Sequence, residues 1–96
     1  MIKIIAKMTV KEGLADTFKA AAKELVEKSA AEAGNISYSL NVSLADPNTF
    51  AFIEFWKDQD AIDSHNASEH FTAILPKLGG MCVGEPSIEL FNTIEY

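Results

Sequence analysis

Four residues of the stretch Phe50 to Phe71, FAFIEFWKDQDAIDSHNASEHF, are the strongest candidates for chemistry. Glu54 sits inside an apolar run, where desolvation disfavours its charged form and pushes its pKa upward unless a partner compensates. Its carboxyl can orient a histidine or take a proton. Both histidines of the chain, His65 and His70, follow within this stretch, as does its one tryptophan, Trp56. A neutral imidazole, with a pKa of ~6.5, suits proton transfer at cellular pH. The candidate catalytic set is therefore Glu54, His65 and His70, with the choice of base between the two histidines open.

Other residues could hold a substrate. Trp56, Phe52 and Phe71 can line a flat apolar pocket for an aromatic ring, or serve only as core. Tyr38 could donate a hydrogen bond to a ligand, and Lys77 could neutralise an anionic group. Two histidines and a carboxylate match the composition of a facial-triad iron site. The spacing does not support one, so no metal is assigned. Cys82 lies between glycines without a nearby basic residue and reads as structural. Gly79-Gly80 lacks the Lys-Ser/Thr of a phosphate loop. No dinucleotide-binding glycine pattern occurs, and no cofactor is expected.

These side chains need elements to position them. Ile2, Ile4, Ala6, Met8 and Val10 alternate with Lys3, Ile5, Lys7 and Thr9, which predicts a strand. Leu14, Phe18, Ala21, Ala22 and Leu25 fall at helical spacing, and Gly34-Asn35 supplies a C-terminal cap. Ile36, Tyr38, Leu40, Val42 and Leu44 alternate with polar residues in a second strand over 36–44. A turn at Ala45-Asp46-Pro47-Asn48 leads to a hairpin partner over 50–56. Both faces of that third strand are apolar, so it is expected in the sheet interior, with cover on both sides.

Asp58 or Asp60 can cap a short helix carrying Ala61 and Ile62. Five residues turn about 140° around a helix, so one unbroken helix would not place His65 and His70 together. Asn66-Ala67-Ser68 is expected to interrupt it, with Ser68 capping a second segment bearing Phe71, Ile74, Leu75 and Leu78. Pro76 should kink or shorten that segment, and Gly79-Gly80 should stop it. Residues 81–85 read as loop, with a last strand after Pro86 carrying Ile88, Leu90 and Ile94.

The 96 residues read as one domain over 1–96 of the α+β class, in the ferredoxin-like order β-α-β-β-α-β. Two helices would cover one sheet face. The other would be covered by a second copy in a homodimer with sheets packed face to face. A net charge of −6 argues against nucleic acid and against an anionic membrane surface. No run approaches the ~20 apolar residues of a membrane span. The opening MIKIIAKMTV alternates, unlike a signal-peptide core, and one cysteine fits a reducing compartment. The expectation is a cytoplasmic protein.

With this order in place, the chain resembles the antibiotic biosynthesis monooxygenase family of dimeric α+β barrels. The residues that carry the likeness are Glu32-Ala33-Gly34, Tyr38, Glu54-Phe55-Trp56-Lys57-Asp58, Ala61 and His65-Asn66-Ala67-Ser68-Glu69-His70-Phe71. The resemblance implies a monooxygenase that uses oxygen without metal or flavin on a quinol-like or polycyclic aromatic small molecule. Polyketide monooxygenases have Asn at the position of Phe52, so that part of their site is not carried over. The tail, Lys77-Leu78 and Leu90-Phe91-Asn92, is similar to the branch that isomerises a phosphorylated quorum-sensing signal. There a His/Glu pair would move a proton beside a carbonyl, with Lys77 near the anionic group. A non-catalytic small-molecule-binding dimer is the third reading. Within the site, Glu54 and His65 are expected to form an ion pair.

Overall fold

The third strand divides the protein into two faces. In β3 (Thr49–Trp56), Phe50, Phe52, Glu54 and Trp56 are buried, while Ala51, Ile53 and Phe55 are half-buried on the opposite side. The computed structural model describes all residues, Met1–Tyr96. Chain order is β1 (Ile2–Val10), α1 (Ala15–Ala30), β2 (Asn35–Val42), β3, α2 (Gln59–Asn66), α3 (Glu69–Gly80) and β4 (Cys82–Asn92). The four strands form one antiparallel sheet in the order β2-β3-β1-β4. This is the expected ferredoxin-like α+β fold, with β3 interior and the second helix in two pieces.

All helices lie on one sheet face. Ile4, Ala6, Met8 and Val10 of β1 and the buried side of β3 meet Phe18, Ala22 and Leu25 of α1, Ile62 of α2, and Ile74 and Leu78 of α3. Phe18 stacks on Phe50 with ring centroids 5.0 Å apart. Burying a side chain of this size contributes about 1.5–3 kcal/mol, which makes this layer the main source of stability. The far face carries Lys3, Ile5, Ile53, Phe55 and Phe91, neighbours in the cross-strand register. No helix is long and apolar enough to cross a membrane.

Several boundaries differ from expectation. α1 ends at Ala30, and its cap, Ala31, is right-handed rather than a left-handed glycine. Gly34 serves a different need. A Cβ there would overlap the Ala61 Cβ and lie 3.3 Å from the Ala61 Cα, so only glycine lets α2 approach the chain after α1 this closely. β2 stops at Val42, and a register shift between Asn35 and Ser37 makes Ile36 an extra, exposed residue. Leu44 lies beyond the strand and is fully exposed. Pro76 is accommodated within α3, which runs on to Gly80. Residues 82–86 belong to β4, not to a loop. Val83 pairs with Thr9 and Ser87 with Lys7, so two extra residues bulge out of this edge strand. Gly84, at φ +67°, supplies the left-handed residue there. Pro86 removes one ladder donor, which an edge strand at a bulge tolerates. Ile94 falls outside the strand and is exposed.

Candidate functional site

Between the helix-bearing sheet face and the α2–α3 layer lies a cavity of about 730 Å³. Its wall is mostly apolar, with Ile4, Phe52, Ile62, Phe71 and Leu78 among its residues, and it carries Tyr38, Glu54, His65, Cys82 and Glu85 as titratable groups. It holds no lysine or arginine.

Register places Glu54 at the centre of the sheet, opposite Tyr38 on one side and Ile4 on the other. Two residues on, and therefore on the same face, Trp56 donates its Nε1–H to Glu54 Oε1 at 2.9 Å. Glu54 is 5% exposed. Burial pushes its carboxyl up to about 7, the tryptophan hydrogen bond pulls it down in part, and the charge of Glu32 adds to the rise. Burial also raises the Tyr38 phenol, with the Glu54 charge adding to it, so that hydroxyl stays a donor. The expected pairing of Glu54 with His65 is not what forms. The Glu54 carboxyl is held by Trp56, and the imidazole takes a different carboxylate.

That carboxylate is Glu32. The turn bearing it is pinned to the sheet: Asn35 N–H donates to the Glu32 carbonyl at 3.0 Å, and Lys57 N–H to the Gly34 carbonyl at 3.0 Å. Asp58 caps α2 by accepting from Ala61 N–H at 2.9 Å, which sets the helix that carries His65 in its last turn. Ser68 then breaks the helical path. Its hydroxyl donates to the His65 carbonyl at 2.6 Å and accepts from Phe71 N–H as cap of α3. The break brings the two imidazoles together, with ring centroids 6.0 Å apart. They converge on Glu32 rather than turning together toward the sheet. His65 Nδ1 is 2.6 Å and His70 Nε2 2.9 Å from the same atom, Glu32 Oε2.

An ionised carboxylate only accepts, so both nitrogens carry their protons toward it. The neutral His65 ring then has its lone pair on Nε2. That atom is buried and has no partner within the protein. The ring is 2% exposed and is walled by Trp56 at 4.6 Å, Phe71 at 4.8 Å and Tyr38 at 5.5 Å between centroids. Burial lowers the His65 pKa. The hydrogen bond and charge of Glu32 oppose that, and the charge of His70 adds to it. The site thus offers a neutral base at His65 and a carboxyl at Glu54 that is half protonated near neutrality.

Tyr38, Phe52, Glu54, His65 and Phe71, all singled out in the sequence, line the cavity. Trp56 does not; it is wholly buried behind Glu54 and His65. His70 lines a small outer cleft with Glu24, Lys28 and Glu69. Lys77 is exposed on α3 and off the cavity wall. Two residues of the site do not stand out in the sequence as chemistry. Glu85 falls in the stretch that reads as loop, and Glu32 figures only as part of the Glu32-Ala33-Gly34 likeness. Ligand atoms of Glu32, His65 and His70 lie within 4.8 Å of one another, a set with the composition of a divalent-cation site. Their contacts of 2.6 and 2.9 Å are hydrogen-bond distances.

Comparison with known proteins places these residues in a wider group. The family model described as antibiotic biosynthesis monooxygenase matches residues 1–77, a span that includes Glu32, Glu54, His65 and His70. The chain is 38% identical over 77 residues to a Bacillus subtilis (strain 168) protein named "Putative monooxygenase YcnE", covering 80% of this chain and 81% of the relative. A crystal structure described as an antibiotic biosynthesis monooxygenase superposes with TM-score 0.93 at 35% identity, covering 99% of this chain and 100% of the other. A conserved protein from Methanosarcina mazei Go1 does so with TM-score 0.94 at 31% identity, covering 97% and 92%.

Proposed function

This chain belongs to the antibiotic biosynthesis monooxygenase family, and from that premise we propose that it is a cofactor-independent monooxygenase of a quinol-like or polycyclic aromatic small molecule. The observation that carries the reading is His65 Nε2. It is a buried, unpartnered lone pair on a ring that lines an apolar cavity, with the opposite nitrogen anchored on Glu32. A flat ring fits between Phe52, Phe71 and Ile62 by apolar contact. His65 Nε2 takes the proton of a ring hydroxyl. The resulting anion is electron-rich enough to pass an electron to oxygen itself. Glu54, when protonated, can donate a hydrogen bond to a substrate oxygen, with Trp56 holding its other side.

The cavity wall favours a neutral ring over a phosphorylated signal. It carries Glu54 and Glu85 and no cation, so a phosphate there would meet repulsion without a counter-charge. We also propose a cytoplasmic homodimer whose sheets face each other. Its support is the apolar character of Ile5, Ile53, Phe55 and Phe91 on a sheet face that no helix covers. An oxygen-electrode screen of quinols, run beside an assay for isomerised products, tests the reaction class. Oxygen uptake dependent on a quinol supports it; isomerised product without oxygen uptake sinks it.

A further inference from the structure

The outer side of the histidine pair has no place in the proposed reaction. We propose that His70 is a positioning residue: by donating its Nε2–H to the Glu32 oxygen that also receives the His65 Nδ1–H, it sets the tautomer and the basicity of the imidazole in the cavity. This rests on His65 being the base of the proposed reaction.

Three separate pieces of chain meet at one atom. Glu32 comes from the turn after α1, His65 from the end of α2, and His70 from the start of α3. Both imidazole contacts use Oε2. Two N–H donors on one carboxylate oxygen share its negative charge, so each bond receives less of it than a single donor would. The proton between Glu32 and His65 therefore stays on Nδ1, and Nε2 keeps its lone pair. Glu32 is 17% and His70 14% exposed, against 2% for His65, so the pair runs from the buried ring on the cavity wall to the outer cleft. His70 does not line the cavity and cannot contact a substrate there.

Removing His70 leaves Oε2 with a single donor. More of the carboxylate charge then falls on the His65 bond, and the imidazolium form gains. A positive His70 beside His65 acts in the same direction, since its loss also favours protonation of His65. Other charges facing the pair are few. Glu54 of β3, the Tyr38 phenol of β2, and Cys82 and Glu85 of β4 line the cavity with His65, while Glu24 and Lys28 of α1 and Glu69 of α3 line the cleft with His70. Glu24 and Lys28 are bonded to each other at 2.8 Å, so neither replaces His70 on Glu32.

The chain has two histidines, so nitrogen-15 NMR of the imidazoles reads each one directly. Wild type should show His65 as the Nδ1–H tautomer. His70→Ala should raise the proton affinity of His65 on the order of three- to tenfold. His70→Gln, which keeps an N–H donor, should restore much of the difference. The acidic limb of the pH–rate profile, where the base loses activity by protonation, should move with the NMR midpoint, with KM unchanged. An Nε2–H tautomer in wild type would overturn the proposal, a result that needs no variant to fold. So would one His65 midpoint shared by all three proteins. These readings do not depend on turnover. A shifted midpoint without oxygen uptake would sink the proposed reaction and leave the role of His70 standing; an unshifted midpoint in an active enzyme would do the reverse.

Discussion

Replacing Glu54 by glutamine should stabilise the protein in a manner that depends on pH. Glu54 is 5% exposed, and its carboxyl is pushed from its ordinary 4.5 up to about 7. The amide keeps the shape and an oxygen to accept from the Trp56 indole. In wild type, the unfolded chain releases this proton above about pH 4.5 while the folded protein holds it to about 7. Between those values the folded state binds more protons, so stability falls as pH rises. At about 1.4 kcal/mol per pH unit, the loss reaches about 3 kcal/mol above neutrality. The glutamine side chain does not titrate and escapes it. Urea unfolding of both proteins from pH 4 to 9 should therefore give curves that nearly coincide at the acid end. They should diverge through pH 5–7 and run parallel above, with the variant the more stable. Because His65 titrates in both, its contribution largely cancels. A stability difference that is constant across the range would refute the claim that desolvation of this carboxyl governs its protonation.

Gly34→Ala should destabilise by about 1–3 kcal/mol, because the new methyl overlaps Ala61 and α2 must shift; a urea midpoint equal to wild type would contradict the close approach. The same variant should weaken the His65–Glu32 contact, visible as altered His65 nitrogen shifts. Light scattering at low micromolar concentration should give the mass of a dimer, and Phe55→Glu on the uncovered sheet face should convert it to a folded monomer. A wild-type monomer with intact fold would remove the sheet-to-sheet dimer.

Period-two alternation makes β1 and the body of β2 legible, because a sheet covered by helices on one side sorts its residues by face, and β3 stands out as an apolar run after a turn. The break between α2 and α3 is legible too, since Ser68 is a strong cap and His65 and His70 need it to meet. β4 is not, for a physical reason. Gly84 and Pro86 look like strand breakers, yet an edge strand tolerates both at a bulge. Gly34 suggests a left-handed cap by its type, when what matters is its missing Cβ against Ala61. The site is half legible. Glu54 and His65 stand out by type, but the choice of His65's partner depends on tertiary approach. Glu32 lies 33 residues away on an otherwise ordinary acidic helix end, and no local spacing separates it from the other glutamates.

The most direct test is anaerobic mixing of protein with a quinol that supports oxygen uptake, followed by an oxygen pulse, in wild type and in His65→Ala. Wild type should form the deprotonated substrate before oxygen arrives and consume oxygen as that species decays. His65→Ala should bind the same quinol but leave it protonated, with oxygen uptake cut by about 10²–10⁴-fold at neutral pH, the usual contribution of a positioned base. Recovery of the variant's rate at high pH, where the substrate ionises unaided, would complete the agreement. Wild-type oxygen uptake by His65→Ala at neutral pH would contradict the assignment of the base and with it the proposed chemistry of the cavity.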